Sequence, residues 1–413
     1  MWEQIRSNQV RSVFLIALIA GLLLAVGYFL GLYFFDSAVG GLVIALIVWA
    51  IMSLVAYFQG DSILLVMAKA KKIGPDDAPR LYNVVEEMKI ASGLEKVPDV
   101  YIIDDPALNA FATGRDPSKA SVAITSGLLQ KLNRDELQGV IGHEIAHIKN
   151  RDVLLMAITA VMLGTIVILS WYATRVLIFG GMAGSGRRSS SRSGGGGGGA
   201  QAIILIVGLV LMILAPIMAQ LIYYAISRKR EYLADASSAL YTRYPEGLAS
   251  ALEKIGGSTQ QLKSANQATA PMYIINPFRK EGMKAADLTS THPPISERVR
   301  ILRAMAGGAS FTDYNNAYRK VHSGKQAIIS QTATAGIGAV GVRQASLSAP
   351  GELGLASGKA ASKAAGTHEV SDLMLRLDKY RTVDCECGAR WKIPPGFKDN
   401  NVLCTRCGRR IRL

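Results

Sequence analysis

Two histidines four positions apart, with a glutamate after the first, form the first group in this chain that can do chemistry. Residues 143–147 read His-Glu-Ile-Ala-His, inside a stretch from 133 to 150 whose pattern predicts a helix with Asn133 or Asp135 near its cap. On a helix His143 and His147 share one face, so both imidazoles can reach one metal ion. Glu144 is not aimed as a third ligand. It sits beside the open coordination position, where it can take a proton from water. Zinc lowers the pKa of a water it holds to about 7, which makes a hydroxide nucleophile available at neutral pH.

A catalytic zinc needs a third protein ligand. Residues 230–235 read Arg-Glu-Tyr-Leu-Ala-Asp, with Glu231 and Asp235 on one helical face. If the two apolar runs before this segment pair as antiparallel helices, it returns beside the His-Glu-Ile-Ala-His helix. Glu231 then reaches the metal, and Asp235 can accept a hydrogen bond from a ligand imidazole. The alternative is a solvated acidic face next to Arg228 and Arg230.

The cysteines form a separate group. All four, Cys385, Cys387, Cys404 and Cys407, lie near the C-terminus as Cys-Glu-Cys-Gly and Cys-Thr-Arg-Cys-Gly. Two knuckles, each followed by glycine, match a structural zinc ribbon, although the first has a single intervening residue. Trp391, Ile393, Val402 and Leu403 offer only a small core, so such a module needs a metal or disulfides to fold. A reducing cytoplasm favours zinc. Arg390, Lys392, Arg406, Arg409, Arg410 and Arg412 give the module a basic surface, either simply solvated or facing an acidic cytoplasmic partner, anionic lipid or RNA.

The elements that must carry these groups are largely apolar. Half of the 413 residues are hydrophobic, 19% are charged, and the formal net charge is +15. Runs at 12–35, 38–58, 153–180 and 201–226 are long enough to cross a bilayer as helices. The first two read as an anchored hairpin rather than a removed signal. Arg6 and Arg11 before it, and Lys69, Lys71 and Lys72 after it, place both its ends in the cytoplasm. Arg187, Arg188 and Arg192, in the Gly/Ser/Arg tract at 182–200, oppose full spanning by the later pair, which could instead be partly embedded. Basic cytoplasmic flanks account for the net charge. No basic stripe interleaved with aromatics, of the kind single-stranded nucleic acid needs, is present, so the net charge does not call for a nucleic-acid partner. The runs also lack the midplane ionisable residues of a transporter.

Between the runs, 81–90 reads as an amphipathic helix, 99–103 and 121–125 as strands, 109–114 as a turn-prone segment, and 231–305 as helical and soluble. The expected organisation is a transmembrane hairpin at 1–59, a metallopeptidase domain at 60–322, an Ala/Gly/Ser-rich linker at 323–379 and a zinc ribbon at 380–413.

In order along the chain come the hairpin, Asn-Ala-Phe-Ala-Thr-Gly at 109–114, His-Glu-Ile-Ala-His, Glu-Tyr-Leu-Ala-Asp at 231–235 and Thr-His-Pro-Pro at 291–294. This sequence of features resembles the HtpX-type membrane zinc metallopeptidases, relatives of the CAAX prenyl proteases, over roughly residues 1–305. The resemblance implies a mainly α membrane protein: four transmembrane helices fused to a gluzincin-type domain with a small strand element. It implies a zinc endopeptidase at the cytoplasmic face of a bacterial inner membrane, with both termini cytoplasmic and damaged or misassembled membrane proteins as substrates. His143, His147 and Glu231 are then the ligands, Glu144 the base, and His292 a stabiliser of the oxyanion. Asn109, Ala110 and Phe111 would line an edge to which an extended substrate adds as a strand. Two zinc ions are expected, one catalytic and one structural. The Gly/Ser/Arg tract and everything after about residue 306 depart from the simplest pattern. The rival reading is a membrane-anchored adaptor that recruits a cytoplasmic partner through its ribbon, its metal site being vestigial. Glu144 argues against it, because a purely structural site has no use for a base.

Overall fold

The computed structural model describes residues 37–153, 228–263, 272–275, 292–305, 307–324, 369–397 and 401–412, with scattered positions in 10–32, 171–217, 327–346 and at Asp399. Nearly all of the apolar runs at 153–180 and 201–226, and the whole Gly/Ser/Arg tract, lie outside the described residues.

Two apolar helices come first, α1 (Ala20–Phe29) and α2 (Ala38–Met67). Ser37 starts α2 by accepting the Gly40 amide on its hydroxyl. A Cβ added to Gly27 would lie 2.4 Å from the Ala45 Cβ, so only a glycine lets the two helices touch there. Among the described residues one stretch, Ala38–Val55, is long and apolar enough to cross a membrane. Only 11% of it is buried, which sets it apart from the core helix of a soluble domain.

Helix α2 continues past this stretch and delivers the chain to a four-stranded sheet: β1 (Ala70–Ile73), β2 (Asp99–Ile103), β3 (Ala110–Thr113) and β4 (Ser121–Thr125). The order is β1-β2-β4-β3, with β2 and β4 parallel and the other pairs antiparallel. Strand β3 lies in the segment that reads as turn-prone from its residues and as a substrate-facing edge from the resemblance. Asn109 and Gly114 are turn signals at its two ends and hide four small or apolar residues that pair in register, Ala110 with Ile124 and Thr113 with Ser121.

Helix α3 (Pro79–Ser92) starts on a proline and stops at Gly93, which takes φ +72°. A short α4 (Ser126–Lys131) follows β4 and leads to α5 (Arg134–Lys149). Asn133 caps α5 in a capping box with Glu136. Helix α5 is packed between α3 and α7 (Pro245–Gly256), and α6 spans 228–242. Helices α8 (Ile295–Arg303) and α9 (Phe311–Val321) complete this layer. Val84, Val85, Ile102, Val122, Leu137, Val140, Ile141 and Leu252 form one continuous core between sheet and helices.

The helical pattern at 133–150 and the apolar run from 153 are nearly contiguous in the sequence, yet α5 does not run on into that run. It stops instead: Asn150 closes it, Arg151 takes φ +59°, and helical backbone resumes at Asp152. The break turns Asp152 back toward His147.

Parts of the segment read as a linker are ordered against this frame. Residues 369–377 form α10, which buries Val370 and Leu373 in the same core. Two hairpins close the chain, β5 (Arg381–Asp384) with β6 (Arg390–Ile393), and β7 (Asn401–Leu403) with β8 (Arg410–Arg412).

The contact between α5 and α7 is backbone-close. A Cβ on Gly139 would stand 2.6 Å from the Leu248 nitrogen. Gly139→Ala should therefore destabilise the protein by ~1–3 kcal/mol through overpacking, read as a lower melting temperature in detergent. An unchanged melting curve would mean that the two helices do not touch.

Candidate active site

Helix α5 presents His143 and His147 one turn apart, and α6 presents Glu231 and Asp235 one turn apart. The two helices are tied by the Ser238 hydroxyl, which donates to the Gly139 carbonyl at 2.7 Å. All four side chains are buried. The two Nε2 atoms stand 3.2 Å apart; His143 Nε2 is 3.5 Å from Glu231 Oε2, and His147 Nε2 is 3.4 Å from Glu231 Oε1. Tetrahedral ligands about 2.0–2.1 Å from a zinc ion are themselves about 3.3–3.4 Å apart, so this set fits one. Glu231 Oε2 is also an orphan: it is buried without a hydrogen-bond partner, 3.5 Å from His143 Nε2.

The far side of each imidazole meets a carboxylate. Asp235 Oδ1 is 3.0 Å from His143 Nδ1, and Asp152 Oδ2 is 3.2 Å from His147 Nδ1. A carboxylate there takes the ring N–H and leaves the Nε2 lone pair directed at the centre. Arg298 of α8, completely buried, donates Nε and Nη2 to Asp235 at 2.8 and 2.6 Å, and its Nη1 lies 3.4 Å from Glu231 Oε2. Sequence reasoning missed both Asp152 and Arg298. The only available signals were an aspartate five residues after His147, and an arginine on the same helical face as Ile301 and Leu302.

His292 is buried, with Nε2 3.6 Å from Glu231 Oε2. Glu144 is buried beside its histidines. Asn109, Ala110 and Phe111 lie at the β3 edge, each engaged with residues 272–275. Asn109 Nδ2 donates to the Ile275 carbonyl, the Ile274 amide donates to the Ala110 carbonyl, and Phe111 packs edge-to-face on Tyr273.

The electrostatics of the pocket call for positive charge at its centre. Burial would push the Glu231 carboxyl up, but His292, His143 and His147 hold it well below the usual range. Burial would push His147 down, but Asp152 and Glu231 outweigh it and raise its pKa to about 10. A field that holds a proton so firmly also stabilises a divalent cation. Burial pushes Glu144 above the ordinary carboxylate value, and pushes His292 down to about 4, so His292 is neutral at pH 7.

The four cysteines form a second cluster, outside this pocket. Cys385 and Cys407 sulfurs are 3.5 Å apart, and Cys387 and Cys404 sulfurs 3.6 Å apart. Disulfide sulfurs are about 2.05 Å apart, whereas thiolates on one tetrahedral zinc are about 3.8 Å apart, so the arrangement suits a metal. Gly388 and Gly408, at φ +80° and +73°, close the two knuckles by donating to the Cys385 and Cys404 carbonyls.

A family model, that of peptidase family M48, matches residues 75–306, a span that contains the whole buried pocket. The chain belongs to peptidase family M48. A protease HtpX homolog of Dictyoglomus turgidum is 45% identical over 304 residues, covering 74% of this chain and 94% of that protein. The HtpX homolog of Caldanaerobacter subterraneus is 43% identical over 303 residues, with 73% and 97% covered, and that of Streptococcus uberis 41% over 305, with 74% and 100% covered. The crystal structure of S. mikatae Ste24p aligns with 73% of this chain and 67% of that one, at 20% identity and a TM-score of 0.38, too loosely to support further argument. As an M48 member the chain is a zinc metallopeptidase with protein substrates. Its fold is mainly helical with a small sheet, and it carries a four-cysteine element beyond the family match.

Asp152 is the partner of His147 that the M48 motif itself does not announce. Asp152→Ala should weaken zinc binding by about 10–100-fold. Competition with a zinc chelator measures this, and an affinity equal to wild type would remove Asp152 from the site.

Proposed function

We propose that this M48 member is a membrane-embedded endopeptidase that cuts membrane or misfolded proteins at the cytoplasmic face, in protein quality control. The observation that carries the reading is the convergence of His143, His147 and the orphaned Glu231 oxygen beside a buried glutamate, Glu144. His143, His147 and Glu231 hold the catalytic zinc; when bound, it polarises the scissile carbonyl and makes water acidic enough to ionise at neutral pH. Glu144 takes the proton of the attacking water and passes it to the leaving nitrogen as the C–N bond breaks. Water is thus divided between the new carboxylate and the new amine. Asp235 and Asp152 keep each imidazole in the tautomer that binds, and Arg298 balances the charge of Asp235. His292, being neutral, donates one hydrogen bond to the oxyanion.

The substrate enters as an extended strand along the outer edge of β3. At Ala110 both backbone groups are already engaged, the amide by Asn109 Oδ1 and the carbonyl by the Ile274 amide. Alternate residues of a strand point the same way, so the substrate pairs at Ala112. Asn109 and Phe111 act indirectly, by holding residues 272–275 in place.

The runs at 12–35, 38–58, 153–180 and 201–226 act as four membrane helices, with the ribbon and both termini in the cytoplasm. The unburied face of α2 and the basic flanks of the hairpin support this. The ribbon binds the second zinc through its four cysteines.

The test compares wild type with Glu144→Ala, both purified in detergent. Both should hold about two zinc ions per chain. Cleavage of an unfolded casein-like substrate should fall by about 10²–10⁴-fold in the variant. Chelator should abolish cleavage by the wild type. Equal cleavage by the two proteins would exclude Glu144 as the base, and zinc-replete wild type without any cleavage would favour the adaptor reading.

A further inference from the structure

The appended C-terminal region touches the two helices that carry the metal site, and one arginine makes most of the contact. Residues 340–346 lie beyond the M48 match, which ends at 306, and in a stretch whose composition reads as a linker. They nevertheless run as a strap along the peptidase domain. The Val340 carbonyl accepts the Ala309 amide, and Gly341 bridges to Gly308. Arg343 then reaches both helices at once. Its Nη2 donates to Asp135 Oδ1 at 2.6 Å and to Gln138 Oε1 at 2.7 Å, both on the first turns of α5. Its Nε donates to the Thr242 carbonyl at 2.9 Å, at the end of α6, and its guanidinium stands over the Tyr244 ring. Ser346 adds a backbone amide to the other oxygen of Asp135.

The backbone at the end of α6 is held in the same way. Arg243 takes φ +53°, a left-handed conformation that a residue with a side chain adopts only when its surroundings enforce it. Here the Arg343 amide donates to the Arg243 carbonyl at 2.8 Å, and Arg243 Nε returns a bond to the Gly341 carbonyl at 3.1 Å. The pairing is reciprocal and fixes the turn between α6 and α7.

Helix α5 carries His143 and His147, and α6 carries Glu231. The spacing of the two helices is therefore the spacing of the metal ligands. We propose that residues 340–346 are a clamp on that spacing, with Arg343 as a positioning residue that bridges α5 and α6 and so sets how tightly the active site retains its metal. The appended region then tunes the peptidase from within the same chain. This rests on the metal-site reading given above.

The test uses the full-length chain in detergent: wild type, Arg343→Ala and Arg343→Lys. Zinc release to a chromophoric chelator is followed in each, with His147→Ala and Cys404→Ser marking the active-site and ribbon phases. Kinetics on a reporter peptide and melting curves complete the set. Arg343→Ala should release active-site zinc about tenfold faster and leave the ribbon phase unchanged. Its kcat should fall several-fold while KM stays within about twofold, because the clamp touches ligand spacing and not the substrate edge. Arg343→Lys, which keeps the charge but not the planar fork, should recover part of both losses. Release and kcat within about twofold of wild type would overturn the clamp. So would a lower melting temperature with unchanged release, which is what a merely structural contact gives. If His147→Ala removes no zinc phase from the wild type, the metal-site reading fails as well, so the two failures are told apart.

Discussion

Everything in the catalytic half of the chain answers to a buried charge balance between α5, α6 and α8. Four carboxylates, Glu144, Glu231, Asp235 and Asp152, and two guanidiniums, Arg298 and Arg230, meet the imidazoles of His143, His147 and His292 where water does not reach. A charge in such a place is tolerated only if it is paired and hydrogen-bonded on every side. Asp235 illustrates this: it takes two bonds from Arg298 and faces His143 Nδ1. Removing Arg298 would leave the buried Asp235 carboxylate with His143 alone, and removing Asp235 would leave Arg298 with only the longer carboxylate contact, to Glu231. The network therefore fixes more than protonation. It requires α8 to lie against α6, and α6 against α5, with small groups such as Gly139 and Ser238 where the helices meet.

How much of this is legible in the sequence depends on how local each signal is. The α5 helix, its cap at Asn133 and the two imidazoles on one face follow from spacing within a few residues. The cysteine knuckles are legible for the same reason. Asp152 is not, because its approach to His147 depends on the break at Asn150 and Arg151, which a continuous helical pattern conceals. Arg298 is not, because an arginine is expected on a surface until its partner is known, and Asp235 is 63 residues earlier. Strand β3 escapes because four short residues between turn signals carry no period of their own. The strap at 340–346 escapes because composition was read as behaviour. In an Ala-, Gly- and Ser-rich stretch, one arginine with five donors is enough to fix a place.

The placement of the ribbon limits what it can do. Helix α10 leads into it and docks beside β1: Arg376 donates to the Asp77 carbonyl at 2.8 Å, Asp378 pairs with Lys71 of β1, and Arg80 of α3 lies 3.8 Å from Glu369. In the sheet order β1-β2-β4-β3, this is the edge opposite β3. Three strand spacings separate the two edges, roughly 14 Å. The ribbon itself is held on α10, where Lys392 pairs with Asp372 at 3.1 Å. Through α10 it reaches the frame by way of β1, α3 and the core that α10 enters with Val370 and Leu373. The same docking puts the basic ribbon next to the strand that α2 leads into, so any partner of that surface meets the enzyme where its apolar helix joins its sheet.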